Sequence, residues 1–155
     1  MNRSQEGKVT YWLTPVQSDG LRAAEDLIRT LVGREGIFAF GERTSARDSL
    51  RPGDFICFYA SRKGIVAHAR AAKAPERKPH NSISYERHPW LVELEDPELY
   101  IDNPVIIDEP IRKRLDAFRG RKPNTYWSWF VQMTRRISSH DFLVLTRGAD
   151  QISIK

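Results

Sequence analysis

Residues 36–72 read GIFAFGERTSARDSLRPGDFICFYASRKGIVAHARAA, and this stretch decides the fold of the chain. The apolar run Phe55–Ala60 and the following run 65–72 have the composition of β-strands. The polar segment 61–64 between them is short enough for a tight turn. The two runs therefore predict a β-hairpin that forms one wall of a small barrel.

A polar bend, residues 40–45, precedes this hairpin. It leads into a predicted one-turn helix, 46–50, and a Pro-Gly-Asp turn at 52–54. We expect the bend to hang over the open mouth of the barrel, where its side chains would border a small-molecule or nucleobase pocket. The side chains that it carries there are Arg43, Thr44, Ser45 and Arg47.

The segments before the hairpin predict another strand and a covering helix. Residues 9–13 are aromatic and β-branched, which predicts a strand ended by Thr14-Pro15. Residues 21–31 have apolar side chains at helical spacing, with Leu21 on the inner face, and Gly33 closes the pattern. Because the remaining positions are charged, this helix is expected to cover a sheet.

The segments after the hairpin predict the rest of the fold. Residues 91–94 and 99–107 resemble two strands interrupted at Asp96-Pro97, because proline cannot join a strand ladder. The other predicted elements are a mobile loop 73–84, helices 111–118 and 126–133, the second capped by Asn124 or Thr125, a strand 134–137, and a helix or strand 142–146. With no βαβ repeat, the expected class is α+β: a curved mixed sheet or small open barrel with helices packed round it.

Length and composition limit the possible classes of protein. At 155 residues the chain is expected to form one domain, 1–155, with a substantial hydrophobic core. It has no apolar run long enough to span a bilayer, and its first residues lack the apolar region of a signal peptide. The single cysteine, Cys57, sits in an apolar strand and fits a reducing compartment. We therefore expect a cytoplasmic protein without membrane contact.

The positive charge of the chain is clustered. The net charge is +5, and six basic residues crowd positions 112–122, opposed only by Asp116. A separated basic face favours contact with a phosphate backbone, although such a run is also typical of a solvated helix surface. The phosphate contacts that we predict are Arg47, Arg112, Lys113, Arg119 and Arg121. A protein-interaction module, with helix 111–118 against an acidic partner, is an alternative.

Most enzyme signatures are absent from the sequence. It contains no phosphate-binding loop, dinucleotide fingerprint, zinc-protease motif or nucleophile elbow, and we expect neither a cofactor nor a metal. Ser139, His140 and Asp141 are consecutive, so their side chains cannot converge as a triad. The enzymatic alternative that remains is a nucleotide- or RNA-modifying hydrolase that uses Glu93, Glu95 or His68.

Aromatic residues interleaved with arginine are the chemistry that is present. Most of them must pack the core, but a pocket needs only two or three, and stacking on a base is worth roughly 1–3 kcal/mol. Trp12, Phe40 and Tyr59 are the predicted cage or rim, with Trp90 and Trp127 as further candidates. We expect a hollow between residues 11–13 and the bend.

The order of these segments resembles the EVE domain family of the PUA-like superfamily, whose fold is shared by the YTH readers of methylated adenine. The resemblance rests on YWL at 11–13, FGERTSARDSL at 40–50, PGDFICFYAS at 52–61 and GIVAHARA at 64–71. The chain departs from the family pattern where Thr14-Pro15-Val16 replaces K-S-E-P. It departs again where Phe40, Thr44 and Ala60 replace a tryptophan, an asparagine and a histidine.

The resemblance implies a small open barrel of five to six strands with flanking helices. It also implies a non-catalytic pocket for a flipped, modified (methylated) nucleobase of DNA or RNA, in a monomer or weak dimer. The residues assigned to this pocket are Trp12, Phe40, Arg43, Thr44, Ser45, Tyr59, Ser61, Trp90 and Trp127.

Overall fold

The structure, a computed structural model, describes residues 8–122 and 126–154, with side chains for 8–122 and 126–147. The predicted helix caps Asn124 and Thr125 lie outside the described residues. Within the described part of the chain, no helix is both long and apolar enough to cross a membrane.

A single curled mixed sheet forms the centre of the fold. Its strands are β1 (Tyr11–Val16), β2 (Ile37–Phe40), β3 (Phe55–Ala60), β4 (Gly64–Ala71), β5 (Glu76–Arg77), β6 (Trp90–Leu99) and β7 (Arg135–Ile137). The order is β2-β6-β4-β3-β1-β7, and the two-residue β5 pairs with β6. Strand β1 is parallel to β3, and all other pairs are antiparallel. This confirms the predicted α+β small open barrel.

The predicted hairpin is confirmed as β3 and β4, which pair from Phe55 with Arg70 to Ala60 with Gly64. The turn needs a glycine at its end, since Gly64 has φ +136° and an added Cβ would overlap the carbonyl oxygen of Val105. That carbonyl accepts from the N–H of Ile65 at 2.9 Å, and Val105 N–H donates back at the same distance. The hairpin is thereby tied to the segment that follows β6.

Two prolines lie inside strands, and the sequence-based strand ends there are wrong. β1 continues through Pro15 to Val16. β7 pairs only with residues 11–13, so that edge of β1 has no partner strand at Pro15 among the described residues. Proline lacks an N–H, but no hydrogen bond of the sheet is lost there. β6 is one strand of ten residues, in which Asp96 has φ +52° and a register shift absorbs Pro97. Beyond Leu99 the chain turns, so the second predicted strand does not form.

The first helix is displaced from its predicted position. Helix α1 is Ala24–Leu27 and continues as the π-helical segment Ile28–Glu35, which ends at Gly36 with φ +68°. Gly33 lies inside this segment and does not close it. Leu21, expected on the inner face, precedes the helix and is 94% exposed.

The remaining helices are short, except the last. They are α2 (Ala46–Ser49), α3 (Glu109–Arg114) and α4 (Ser139–Ile154), with 3₁₀ turns at Asp116–Phe118 and Ser128–Val131. Asp108 caps α3 by accepting from the N–H of Ile111 at 3.1 Å. The predicted helix 111–118 is broken at Leu115, whose backbone is extended.

The sheet separates two hydrophobic clusters. The inner-face cluster packs α1 and its π-helical continuation against the sheet and includes Trp12, Phe38 and Phe58. The outer-face cluster packs α3, α4 and the 3₁₀ turns against it and includes Leu13 and Phe130. Trp12 and Leu13 are neighbours in β1 and enter opposite clusters, because successive side chains of a strand point to opposite faces.

Candidate functional site

A cleft of about 790 Å³ opens at the inner face of the sheet. It lies between the end of β1, α1, the middle of β2 and the loop 82–88. Its floor is apolar and consists of Val16, Leu27, Leu31, Phe38 and Ala39. Because α1 begins only at Ala24, residues 17–22 before it border this space and do not close it.

Phe38 is the aromatic side chain of the floor. Its ring meets those of Phe40 and Phe58 edge-on, at centroid distances of 5.3 Å and 5.1 Å. These contacts fix its orientation, and 8% of its surface stays exposed. The cleft therefore ends on a positioned aromatic ring.

The segment between β1 and α1 forms one rim of the cleft. Asp19 organises it by accepting from the N–H groups of Leu21 and Arg22 at 2.8 Å and 2.6 Å. These bonds, that of Arg22 first, hold the pKa of Asp19 below its ordinary value. Gln17 and Ser18 present polar side chains on the same rim.

The loop 80–88 forms the opposite rim and is anchored at two points. The Arg22 guanidinium donates to the carbonyl oxygen of Ser82 at 3.0 Å. Glu35 lies 3.3 Å from His80 Nε2 and accepts from the hydroxyl of Ser82 at 3.2 Å. Residues 73–84, expected to be a mobile loop, thus include a strand and a loop bonded to the segment before α1 and to the π-helical continuation of α1.

Positive charge borders the cleft at Arg87. This side chain is exposed and makes no ion pair within the described part of the chain. Desolvation, followed by the charge of Arg87, lowers the pKa of the neighbouring His88. His88 is therefore neutral near pH 7, and Arg87 is the cation that faces an incoming ligand.

The predicted bend lies beside the cleft without lining it. Thr44 Oγ1 accepts from the N–H of Ala46 at 3.3 Å, and the Ser45 hydroxyl donates to the carbonyl of Thr134 at 3.5 Å. Arg43 is exposed. The lining runs from Pro15 along β1 and stops at Ala39 on β2, so the hollow begins just after residues 11–13 and ends just before the bend.

Two of the predicted cage residues lie in the core. Trp12 is 1% exposed, and its indole N–H donates to Asp54 Oδ2 at 3.1 Å. Phe40 is 3% exposed and packs behind Phe38. Both rings are covered because the inner-face cluster closes over this end of the sheet, and neither lines the cleft.

Trp90 is held in an ionic cluster outside the cleft. The guanidinium carbons of Arg47 and Arg77 lie 5.7 Å and 5.1 Å from its ring centroid. Glu42 bridges the two arginines, at 2.9 Å from Arg47 and in direct contact with Arg77. Arg47, predicted to contact phosphate, is thus already paired with a carboxylate.

The other predicted pocket residues are divided by the sheet. Tyr59 and Trp127 pack against the outer-face cluster, on the side away from the cleft. Ser61 is exposed at the hairpin turn and borders a smaller depression next to the cleft. The structure therefore does not bring the nine predicted pocket residues together.

The predicted basic cluster lies on the outer face and is largely engaged. The Arg112 guanidinium donates to the carbonyl of Ile107 at 2.8 Å and covers the ring of Trp127. The Arg119 guanidinium lies 2.9 Å from the Asp116 carboxylate. The guanidinium carbon of Arg121 lies 4.4 Å from the ring centroid of Trp129. Lys113 is exposed.

The residues of the hydrolase alternative form ion pairs rather than a pocket. Glu93 pairs with Lys73 at 3.4 Å and Glu95 with Arg70 at 2.6 Å. These residues do not line the cleft.

His68 is enclosed by its neighbours. Its Nε2 lies 2.9 Å from Glu98, and its Nδ1 lies 2.9 Å from the Tyr100 hydroxyl. Burial lowers the pKa of His68, although Glu98 opposes the shift.

One group of possible metal ligands exists among the described residues: Asp116, His140 and Asp141, whose ligand atoms lie within 4.8 Å of one another. Each carboxylate oxygen of the two aspartates already accepts one hydrogen bond. Asp141 accepts from the N–H groups of Asp116 and Ala117 at 2.6 Å and 3.1 Å. This group therefore acts as a hydrogen-bonded support for the 3₁₀ turn.

Fold and cleft together define the class: a small open α+β barrel with a ligand-sized opening at one mouth. Solved YTH domains share this fold. A crystal structure of the Mmi1 YTH domain is 12% identical, with a TM-score of 0.58, and the match covers 96% of this chain and 92% of that chain. A second Mmi1 YTH domain structure is 11% identical, with a TM-score of 0.57, over 95% of this chain and 78% of that one.

A third neighbour is a complex of the YTH domain-containing protein mmi1 with RNA. It is 12% identical, with a TM-score of 0.52, and the match covers 86% of this chain and 76% of that chain. At these identities the likeness shows the fold alone. No family model and no curated protein matches the chain.

Proposed function

We propose that the chain is a non-catalytic nucleic-acid-binding module of the EVE type, which takes one methylated nucleobase out of its stack and into the cleft. The EVE assignment is supported by the motifs of residues 40–71 together with the open-barrel fold. The related RNA complex makes RNA the first polymer to test.

One observation carries this proposal: a cleft with an apolar floor, a positioned aromatic ring and an unpaired arginine on its rim. Its volume of about 790 Å³ lies within the range of small-molecule sites, roughly 300–1,000 Å³. Phe38 and the aliphatic floor suit a planar ring. Burial of a methyl group there would add about 0.8 kcal/mol to the binding free energy, because water is excluded from it. Gln17, Ser18 and Ser84 can bond the polar edge of the base.

Backbone contact is assigned to exposed cations near the cleft. Arg87 on the rim and Arg43 on the bend make no ion pair within the described residues. They can neutralise phosphates on either side of a flipped nucleotide without breaking an existing pair. Lys113 and Arg121, on the outer face, remain predicted contacts for a longer strand.

The first test is a fluorescence-anisotropy titration with an RNA 9-mer that carries one central N6-methyladenosine, and with the unmodified strand, at two salt concentrations. We expect tighter binding of the methylated strand and a steep loss of affinity at high salt. Arg87→Glu should weaken binding at least tenfold. The charge-matched control is Arg51→Glu, at the opposite end of β1 and β3, which should stay within twofold of the wild type.

A second variant separates the cleft from simple charge attraction. Phe38→Leu keeps the floor apolar but removes the aromatic ring, so it should reduce the preference for the methylated strand at least threefold. Equal affinity of the wild type for every modified and unmodified strand would defeat the pocket assignment. Product formation after long incubation would instead support the hydrolase alternative.

A further inference from the structure

Leu21 is the most exposed large apolar side chain among the described residues, at 94%. It lies at the lip of the cleft and also borders the adjoining depression of about 550 Å³. Leu21 and Phe38 thus line the same cleft.

Hydrogen bonds define the turn that carries Leu21. Asp19 accepts from the N–H of Leu21 at 2.8 Å, Ser18 accepts from the N–H of Gly20 at 3.1 Å, and Gly20 has φ +91°. Arg22 joins the turn to the opposite rim through its bond to Ser82. The leucine is therefore carried outward on a hydrogen-bonded turn and is almost fully exposed.

The surroundings of Leu21 are polar and carry charges of both signs. Arg22 and Arg62 line the depression beside it; Arg22 pairs with Asp19 at 3.1 Å, whereas Arg62 is exposed without an ion pair among the described residues. A single leucine among such groups is too small for an apolar protein-docking patch. An isolated apolar tip next to an exposed arginine is instead the pattern of side chains that enter a base stack.

We propose that Leu21 is a wedge that occupies the gap left in the base stack when the neighbouring base turns into the cleft. The inference rests on the function proposed above. Flipping leaves unstacked base faces exposed to water, and an apolar side chain inserted between them offsets part of that cost. The position of Leu21 beside the cleft allows one binding event to place the base inside and the wedge in the vacated step.

The test compares two probes that contain the same central N6-methyladenosine: the single-stranded RNA 9-mer and its duplex with a complementary strand. Leu21→Ser should weaken duplex binding at least tenfold, which is about 1.4 kcal/mol, and leave single-strand binding within twofold. The variant is expected to fold, since the side chain is almost fully exposed. Leu143→Ser, at an exposed position on α4, is the matched control and should change neither affinity.

A 2-aminopurine placed next to the methylated base in the duplex reports unstacking directly. Wild type and Leu21→Met should raise its fluorescence, and Leu21→Ser should not. Equal weakening of both probes by Leu21→Ser, or no change in either, would overturn the wedge, as would a wild type that binds the single strand but never the duplex. Failure of the wild type to bind any probe would instead remove the proposed function, and the wedge with it.

Discussion

Both faces of the sheet carry apolar and aromatic residues, but the layers that cover the two faces differ. On the outer face, Phe130 is fully buried and its ring meets those of Phe118 and Trp129 at 5.2 Å and 5.7 Å, so helices and aromatic rings close the layer. On the inner face, α1 starts late and leaves Phe38 at the bottom of a cleft. The candidate site thus arises where the covering layer stops, without any rearrangement of the sheet.

The largest expected contrast between the faces is in the cost of removing an aromatic ring. Phe130→Ala should lower the free energy of unfolding by about 3–5 kcal/mol, because it leaves a closed cavity in addition to the lost burial. Phe38→Ala should cost only the transfer of the ring, about 1.5–3 kcal/mol, because its space merges with the cleft. Urea unfolding of both variants measures the difference, and equal losses would mean that the cleft floor is as closed as the outer core.

A smaller contrast in stability is expected between the hydrogen bonds that hold a turn on the outer face and those that hold a loop on the inner face. Asp141 is 1% exposed and holds the N–H groups of Asp116 and Ala117, so Asp141→Ala should cost about 1–3 kcal/mol through the donors left unpaired. Glu35→Ala cuts the exposed tie to loop 80–88 and should cost less than about 1 kcal/mol. Urea unfolding compares them.

Asp141→Asn is the control for the charge. Burial raises the pKa of Asp141, so its negative charge opposes folding at neutral pH while its hydrogen bonds support it. The asparagine variant, which keeps an acceptor oxygen, should therefore lose less stability than the alanine variant. A greater loss in the asparagine variant would mean that its NH2 group, placed against the N–H of Asp116 or Ala117, costs more than its acceptor oxygen recovers.

The smallest expected effect is a pH dependence at the two histidines. Burial lowers the pKa of His68 on the outer face, where Glu98 opposes and Arg147 reinforces the shift, and desolvation lowers that of His88 at the cleft. A depressed histidine pKa supports the folded state above the ordinary value of 6.5, and this support is lost as the pH falls through the folded-state value. Replacing either histidine by glutamine should flatten the stability profile between pH 7 and pH 5, as followed by urea unfolding; an unchanged slope would contradict the shift at that residue.

Local patterns allowed much of the fold to be predicted from the sequence. The hairpin of β3 and β4 follows from two apolar runs and a short turn, and α2 and β7 lie close to their expected positions. The errors come from contacts that no local pattern contains. Pro15 is tolerated because β7, more than a hundred residues later, leaves its edge free, and Leu21 has helical spacing but precedes the helix.

The candidate site was less predictable for the same reason. The cleft is lined by segments around residues 15–31, 38–39 and 82–88, which meet only in the folded chain. Trp12 resembles a cage residue until its partner Asp54, 42 positions away, is seen to hold it in the core. Phe38 and Phe40 lie two residues apart in β2, on the same face of the strand. Only the position of α1 decides which ring meets the cleft. The first part of the second rim lies in the stretch 73–84, whose polar composition led to the prediction of a mobile loop.

Gly64 offers a marker for tracing the ancestry of this fold. Any larger residue there would displace the Val105 carbonyl and uncouple the hairpin from the chain behind it, so substitutions at this codon are expected to be removed by selection. A glycine is therefore expected at the start of this strand in any relative that keeps the same connection between the hairpin and the segment after β6.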